Sequence, residues 1–213
     1  MEKIKLYGFY NEAHKVLKDN FLKTLKDDWE INIFYLDIKG NGDFRSKEFL
    51  EIAELKLPFC LDAIEKNQGN IIIYSDMDIQ FFGSCDKIIK EEIKNKDMLF
   101  VQEGNMVNAG FIVIKCNERT KEFFKLACKE DIHKHHLSDQ GVINELLNKN
   151  IMEDLKIGKL PSQFWLSTHS ELPKDIIFHH AVNTASTKEK TSLQLKLEEQ
   201  EKIRGIYEKR NNN

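Results

Sequence analysis

A short apolar segment that ends in two carboxylates constrains the fold of this chain more than any other feature. Residues 71–74 read Ile-Ile-Ile-Tyr, and Asp76 and Asp78 follow them. Such a run predicts a buried central strand of an α/β sheet, and these sheets bind ligands beyond the carboxyl ends of their strands. Because residues two apart on an extended chain share a face, both carboxylates can reach one hard divalent cation. The alternative is a simple turn cap, since aspartates often stabilise the turn after a strand.

The length and composition of the chain predict one domain. Its 213 residues are 41% hydrophobic, which is enough to bury one sizeable core, and only 3 of them are proline. Because no linker rich in Pro, Gly or Ser interrupts it, we expect residues 1–190 to form a single domain. We expect residues 191–213 to form a charged helix that leads into a linker, which would connect further domains of a longer polypeptide.

The charge balance and the cysteines argue against several classes of protein. With 32 basic and 35 acidic residues the net charge is −3, which is unfavourable for binding a nucleic-acid backbone. The cysteines form no C-x-x-C pair, so we expect reduced thiols rather than disulfides or a zinc site. They are Cys60, Cys85, Cys116 and Cys128. The sequence has no apolar leader and no run of about 18 apolar residues, so we expect a cytoplasmic protein without a membrane span.

Hydrophobic periodicity predicts alternating strands and helices, which is the pattern of an α/β protein. The predicted strands are 4–9, 31–36, 71–74, 98–102, 110–115 and 176–179. The predicted helices are 12–26, 46–66, 88–94, 120–128, 139–147 and 188–213. Ser138 is a predicted N-cap of the helix at 139–147. Pro58 predicts a break or kink inside the segment 46–66, which would then form two helices.

Five sequence blocks in order carry a family resemblance. They are IIIYSDMDIQFF at 71–82, NAGFIVIK at 108–115, SDQGVIN at 138–144, LPSQF at 160–164 and FHHA at 178–181. Together they resemble the GT-A fold nucleotide-diphospho-sugar transferases, in particular the retaining galactosyl-, xylosyl- and glucosyltransferases, over residues 1–190. The resemblance implies a Rossmann-like mixed central sheet flanked by helices. It also implies transfer of a hexose or pentose from a UDP-sugar to a glycan or glycoprotein acceptor, with retention.

The size and the asparagine-rich end are similar to those of compact virus-encoded members of this class, for which the compartment would be the host cytoplasm.

The resemblance implies a metal site. In this family two aspartates and a C-terminal histidine bind Mn²⁺, with Mg²⁺ as the alternative, and the matching residues are Asp76, Asp78 and either His179 or His180. A nitrogen ligand favours a transition ion over Ca²⁺, and the metal stabilises the leaving UDP. Adjacent strand residues face opposite sides, so one histidine at most is a ligand, and we prefer His180. Met77 between the aspartates belongs to the donor site. An ordinary half-exposed His-His pair is the alternative.

The resemblance also implies residues that contact the donor sugar. Asn108, Ala109 and Gly110 match the segment that touches the sugar, where Gly allows close backbone approach. Asp139 and Gln140 match the catalytic pair beside the anomeric carbon. Since an amide is a poor nucleophile, the resemblance suggests departure and attack on one face of the sugar, without the nucleophilic carboxylate of retaining glycosidases. Some relatives carry a second Asp where this chain has Gly141, so the sugar stays open. The simpler alternatives are a turn into a strand and an acid at a helix N-terminus.

Tyr7 and Asn11 match the positions that hold the nucleotide base, where stacking and a few polar contacts suffice. Lys56 matches a basic residue that pairs with a phosphate or the sugar. Lys188 or Lys190 would add positive charge to the diphosphate. A core tyrosine, a turn asparagine and solvated lysines are the alternatives.

A histidine-rich segment at 131–136 resembles a metal cluster only at first sight. His133, His135 and His136 lack a clean helical i, i+4 set with an acidic partner. We therefore interpret the segment as an exposed loop before the Ser138 cap and leave it out of the site.

Two other classes of function fit part of the pattern. A strand that ends in Asp-x-Asp also opens the haloacid-dehalogenase phosphotransferases, in which the first Asp is the nucleophile. This chain has the motif far from its N-terminus and lacks a matching downstream acidic pair. A non-catalytic module that binds nucleotide sugars or glycans would share the pocket and lack turnover.

Overall fold

Strands of the computed structural model form two sheets. The structure describes residues 3–40, 43, 46–134, 138–182 and 185–212. The strands are β1 (Lys5–Tyr10), β2 (Glu30–Tyr35), β3 (Ile71–Ser75), β4 (Ile79–Phe81), β5 (Met98–Glu103), β6 (Met106–Lys115), β7 (Ile157–Lys159), β8 (Phe164–Leu166) and β9 (Phe178–His180). The main sheet has six strands in the order β2-β1-β3-β6-β5-β7, and a smaller sheet has the order β4-β9-β8.

The main sheet is mixed. Strands β2, β1 and β3 are parallel, β6 is antiparallel to both β3 and β5, and β7 is parallel to β5. This arrangement confirms the predicted α/β class with a mixed central sheet. Strands β4, β7 and β8 were not predicted, because three residues are too few to show a period.

Helices flank the main sheet. They are α1 (Lys15–Thr24), α2 (Lys47–Lys66), α3 (Asp86–Glu92), α4 (Glu118–Ala127), α5 (Asp139–Asn148) and α6 (Ser192–Asn211). The Ser138 side chain accepts a hydrogen bond of 3.0 Å from the Gly141 amide, which confirms the predicted N-cap of α5. Among the described residues, no helix is long and apolar enough to cross a membrane.

The predicted break at Pro58 is wrong, because α2 runs through it as one helix. A proline removes one hydrogen-bond donor, and the carbonyl that loses its partner belongs to Glu54. Both Pro58 and Glu54 are exposed, so that carbonyl faces water and can be hydrated.

Strand β3 is buried on both faces, and its side chains alternate between two cores. Ile73 packs with residues of α1, α3 and the small sheet, whereas Ile72 and Tyr74 pack with residues of α2, α4 and α5. A strand held from both sides has a well-defined end. The residues that follow it, Asp76 and Asp78, therefore leave the sheet at a fixed place.

Helix α6 packs on the body of the protein. Its Ile203 is buried against Trp165 and Ile176. Arg204 Nη2 donates hydrogen bonds to Asn20 Oδ1 at 2.7 Å and to Gln80 Oε1 at 3.1 Å. These contacts hold the middle of α6 against α1 and the small sheet.

All four cysteines are free thiols. Cys60, Cys85 and Cys116 are buried, and Cys128 is exposed.

Candidate active site

Two aspartates and one histidine converge beyond the carboxyl end of β3. The chain turns after Asp76 and Asp78 into β4, which pairs with β9 so that Ile79 lies opposite His180. His180 Nε2 is consequently 3.0 Å from Asp78 Oδ1. One side-chain donor atom from each of Asp76, Asp78 and His180 lies within 4.8 Å of the others.

Gly110 forms the wall beside this group. A Cβ at that position would lie 2.1 Å from His180 Cε1 and 2.8 Å from Asp76 Oδ2, both too close for any other residue. The Gly110 carbonyl also accepts a 2.7 Å hydrogen bond from the Asp76 amide. Glycine at 110 is therefore required for the histidine and the aspartate to meet.

The chemistry of the group suits a divalent cation. Asp78 Oδ1 and His180 Nδ1 are buried, and the described residues supply neither with a hydrogen bond of good geometry. Buried acceptors without such a partner are rare in folded proteins. Two carboxylates and one imidazole nitrogen are ligands that Mn²⁺ and similar transition ions accept. The residues present thus fit a bound metal ion.

Of the two adjacent histidines, the structure brings His180 to the aspartates and turns His179 away. His179 Nδ1 lies 2.9 Å from Gln80 Nε2, and its Nε2 lies 3.0 Å from Ser167 Oγ. Because an amide nitrogen only donates, Nδ1 must accept and Nε2 carries the proton. Burial, with a smaller contribution from His180, lowers the pKa of His179 to about 3. His179 is a neutral structural residue that anchors β9.

Lys56 links the first aspartate to Asp139. Its Nζ lies 3.2 Å from Asp76 Oδ1, 2.9 Å from Asp139 Oδ2 and 4.8 Å from the centre of the Tyr74 ring. Burial alone would lower the pKa of Lys56, but Asp139 and Asp76 outweigh it and raise the pKa above its usual range. Burial raises the pKa of Asp139, an effect that Lys56 opposes. Lys56 thus keeps its positive charge between two carboxylates.

The predicted sugar-contacting residues meet beside this ion pair. In the register of β5 and β6, Phe100 pairs with Ile112 and the next residue, Val101, pairs with Asn108, so the register skips 109–111. Such a bulge re-aims a strand. Gln140 Oε1 accepts a 3.1 Å hydrogen bond from the Ala109 amide. The bulge and the start of α5 therefore lie together.

A cavity borders the aspartates, and Asp76, Asp78 and Asp139 contribute to its lining. Its lining residues include Phe9, Tyr10, Asn11, His14, Lys56, Met77 and Lys196. Asn11 is buried there, with Oδ1 accepting from the His14 amide at 3.1 Å and Nδ2 donating to the Ile38 carbonyl at 3.1 Å.

Tyr7 lies apart from this cavity lining. Its hydroxyl accepts a 2.8 Å hydrogen bond from Asn67, and its ring packs edge-on against Phe59. Tyr10, three residues later, does line the cavity.

Sequence reasoning missed Lys196. The predicted Lys188 is exposed, and Lys190 is engaged with Glu198 at 2.7 Å on the surface. Lys196 Nζ instead contacts Asp78 Oδ2 and donates a 3.2 Å hydrogen bond to the Ala181 carbonyl. Burial alone would raise the pKa of Asp78, but Lys196 and His180 outweigh it and hold the pKa well below its usual range.

A signal for Lys196 was present in the spacing of α6. Leu193 and Leu197 pack partly against the core, and Gln200 is buried. Lys196 lies three residues after Leu193 and four before Gln200, which places it on the same face of the helix.

The remaining histidine cluster does not join this site where it can be described. His133 is exposed and its Nε2 lies 3.1 Å from Glu54 Oε1. His135 and His136 lie outside the described residues.

Solved structures share this fold at low sequence identity. A glycosyltransferase involved in glycosylation of the major capsid of PBCV-1 has 11% identity and a TM-score of 0.62, over 92% of this chain and 98% of that chain. The apo-form glycosyltransferase GlyE of Streptococcus pneumoniae TIGR4 has 12% identity and a TM-score of 0.61, over 92% of this chain. This chain spans 60% of the pneumococcal chain. Mouse xyloside xylosyltransferase 1 has 9% identity and a TM-score of 0.58, over 87% of this chain and 100% of that chain.

These likenesses confirm the predicted GT-A fold. The family model of the nucleotide-diphospho-sugar transferases matches residues 11–191, and the chain belongs to that family. The predicted enzyme class, glycosyltransferase, is confirmed at the level of the family. A search of curated protein sequences gives no match to the chain.

Proposed function

We propose that this chain is a metal-dependent glycosyltransferase that moves a sugar from a UDP-sugar to a glycan or glycoprotein acceptor, with retention at the anomeric carbon. The convergence of Asp76, Asp78 and His180 at the carboxyl end of β3 carries this proposal. Family membership supports the nucleotide-sugar donor. The choice of uridine, the sugar and the acceptor go beyond the family and are parts of the proposal.

Asp76, Asp78 and His180 would hold the metal ion, with Mn²⁺ favoured over Mg²⁺ because of the imidazole ligand. A divalent ion bound there supplies positive charge that stabilises the leaving diphosphate. The buried His180 Nδ1, which has no hydrogen-bond partner among the described residues, supports this assignment, as does the close approach of His180 and Asp76 that Gly110 allows.

Two lysines would bind the anionic groups of the donor. Lys56 and Lys196 both line the cavity, and both are held by carboxylates of the site. We assign to Lys196 the diphosphate-binding role that the resemblance implied for Lys188 or Lys190. Its position on α6 supports this, because it contacts Asp78 while the exposed Lys188 lies outside the cavity lining.

The donor sugar would lie against the 108–110 segment and the start of α5. Gln140 presents an amide, which is a poor nucleophile, so departure of UDP and attack by the acceptor would occur on one face of the sugar. Asp139, held by Lys56, would accept hydrogen bonds from sugar hydroxyls. On the nucleotide side, Tyr10, Asn11 and His14 line the part of the cavity that would hold the base and ribose.

Calorimetric titration with UDP, with and without Mn²⁺, tests the proposal. We expect UDP binding to be at least about tenfold tighter with Mn²⁺, because the ion would join the protein to the diphosphate. A tenfold change corresponds to about 1.4 kcal/mol of binding free energy. Addition of a chelator should reverse the effect. A screen of UDP-glucose, UDP-galactose and UDP-xylose for released UDP would then name the donor, and the anomer of the product would report retention.

The same measurements separate the alternative functions. Metal-dependent UDP binding without transfer or donor hydrolysis would indicate a binding module. Failure to bind UDP under either condition, combined with hydrolysis of an aryl phosphate, would overturn the proposal in favour of phosphatase chemistry.

A further inference from the structure

We infer that Glu103 is a positioning residue that sets the orientation of the two amide side chains, Asn108 and Gln140, at the donor-sugar subsite. The inference rests on the proposed function. Glu103 Oε2 accepts hydrogen bonds from Asn108 Nδ2 and from Gln140 Nε2, each at 3.0 Å. One carboxylate oxygen therefore receives both amides.

The opposite ends of the two amides are also held. Asn108 Oδ1 accepts a 2.9 Å hydrogen bond from the Gly110 amide, and Gln140 Oε1 accepts one from the Ala109 amide at 3.1 Å. Each side chain thus lies between a backbone N–H, which only donates, and a carboxylate, which only accepts. Rotation of either amide by half a turn would place donor against donor and oxygen against oxygen. The network permits one orientation of each amide.

Glu103 reaches this position because of the strand irregularity. It is the last residue of β5 and pairs with Met106 across the hairpin, where Gly104 has a left-handed φ of 57°. Its second oxygen, Oε1, accepts a 3.2 Å hydrogen bond from Thr168 Oγ1 in the segment after β8. Glu103 therefore joins three parts of the site: the bulge of β6, the start of α5 and the chain that leads to β9.

The orientation of the amides has a direct chemical consequence. After these bonds are made, each amide keeps one N–H and one oxygen lone pair for a ligand. Sugar hydroxyls both donate and accept, so a fixed amide favours one hydroxyl arrangement over its epimer. Glu103 would then act on affinity for the sugar and leave the contacts to UDP unchanged.

The test compares UDP with UDP-sugars in Glu103→Gln, Glu103→Ala and a control, Glu122→Gln. Glu122 is an exposed residue of α4, so its variant removes the same charge away from the site. Calorimetry with Mn²⁺ gives the dissociation constants of UDP, UDP-glucose, UDP-galactose and UDP-xylose for each protein. For the Glu103 variants we expect UDP affinity to stay within about twofold and the affinity of the best UDP-sugar to fall about tenfold, as for loss of charge-assisted hydrogen bonding.

A second measurement needs no ligand. In ¹⁵N-labelled protein, the side-chain amide signals of Asn108 and Gln140 should shift in Glu103→Gln and remain unchanged in Glu122→Gln, because a neutral amide oxygen would replace the charged oxygen that accepts from both amides.

The outcomes distinguish this inference from the proposed function. Equal loss of UDP and UDP-sugar affinity in the Glu103 variants would indicate a general structural role and overturn the inference. Unchanged affinity for both ligands would also overturn it. Unmoved amide signals would overturn it independently. If the wild-type protein fails to bind UDP with Mn²⁺, the proposed function fails first and the inference fails with it.

Discussion

Two ionic clusters, each built around buried carboxylates, lie at opposite ends of the strands of the main sheet. They differ in how completely their charges are hydrogen-bonded. The Asp97 cluster, formed by Asp97, Asn117, Arg119 and the backbone amide of Lys156, lies at the start of β5. Asp97 Oδ1 accepts from Asn117 Nδ2 at 2.8 Å and Arg119 Nη2 at 2.7 Å, and Oδ2 accepts from Arg119 Nε and Lys156 N, both at 2.9 Å. Four donors serve the two oxygens of this buried carboxylate.

The candidate active-site cluster at the carboxyl end of β3 is less completely hydrogen-bonded. Its members are Lys56, Asp76, Asp78, Asp139, His180 and Lys196. Three carboxylates face two ammonium groups and one imidazole. Asp139 Oδ2 lies 2.9 Å from Lys56 Nζ and Asp78 Oδ1 lies 3.0 Å from His180 Nε2, but neither contact has good hydrogen-bond geometry, and His180 Nδ1 has no hydrogen-bond partner among the described residues. A buried polar atom without a hydrogen bond is unfavourable. The difference fits the proposal that the Asp97 charge serves stability, whereas the charges beyond β3 serve a ligand.

The largest effect should come from Asp78→Asn in the active-site cluster. We expect transfer to fall about thousandfold, equivalent to about 4 kcal/mol, because an amide is a much weaker metal ligand than a carboxylate. The variant should stay folded, because the shape is kept and no core cavity opens, although Lys196 and His180 lose a charged partner and the unfolding free energy should fall. Steady-state transfer and urea unfolding measure the two effects. Asp62→Asn, which removes an exposed carboxylate of α2, is the control, and full activity of Asp78→Asn would refute the metal assignment.

The reverse result is expected for Asp97→Ala. Removing this carboxylate leaves Arg119 and two other donors unpaired, and we expect a loss of about 3 kcal/mol of unfolding free energy. Transfer per folded molecule should stay unchanged, because Asp97 lies at the edge of the sheet away from the site. Urea unfolding and activity at a temperature where the variant is folded measure both. Reduced activity of the folded variant would contradict the separation of the two clusters.

A smaller effect should appear in the pH dependence of stability. Burial alone would raise the pKa of Asp97, but the hydrogen bonds from Arg119, the Lys156 amide and Asn117 lower it from 3.8 to about 2. The ionised form therefore stabilises the fold above about pH 4, and this contribution of about 2 kcal/mol is lost as the pH falls from about 4 to about 2.

Urea unfolding of the wild type and of Asp97→Asn between pH 6 and 2 measures this contribution. The difference in unfolding free energy between the two proteins should shrink as the pH falls. A difference that is constant with pH would show that the carboxylate is not the source of the stability.

Much of the framework could be predicted because it depends on local patterns. A few neighbouring residues suffice to predict each of three features: the apolar strand β3, the cap at Ser138 and the aspartates at 76 and 78. The preference for His180 over His179 follows from the alternation of side chains along β9. Glu103 could not be found in this way, since its importance depends on a hairpin register that skips residues 109–111.

The wrong prediction of a break in α2 has a physical reason of the same kind. Pro58 does not end α2, because the position faces solvent, where the freed carbonyl can be hydrated. The placement of Tyr7 likewise depends on packing, since it contacts Asn67 and Phe59, whereas Tyr10 lines the cavity.

The sequence by itself determined the order of the longer strands and helices, the α/β class and the presence of an Asp-x-Asp motif at the end of a buried strand. Only the tertiary structure showed that Lys196 contacts Asp78 and that Tyr10 lines the cavity. Lys196 follows Asp78 by 118 residues and His180 reaches it through the pairing of β4 with β9. Periodicity specifies which face of an element is buried, but the packing of whole elements decides which buried faces meet.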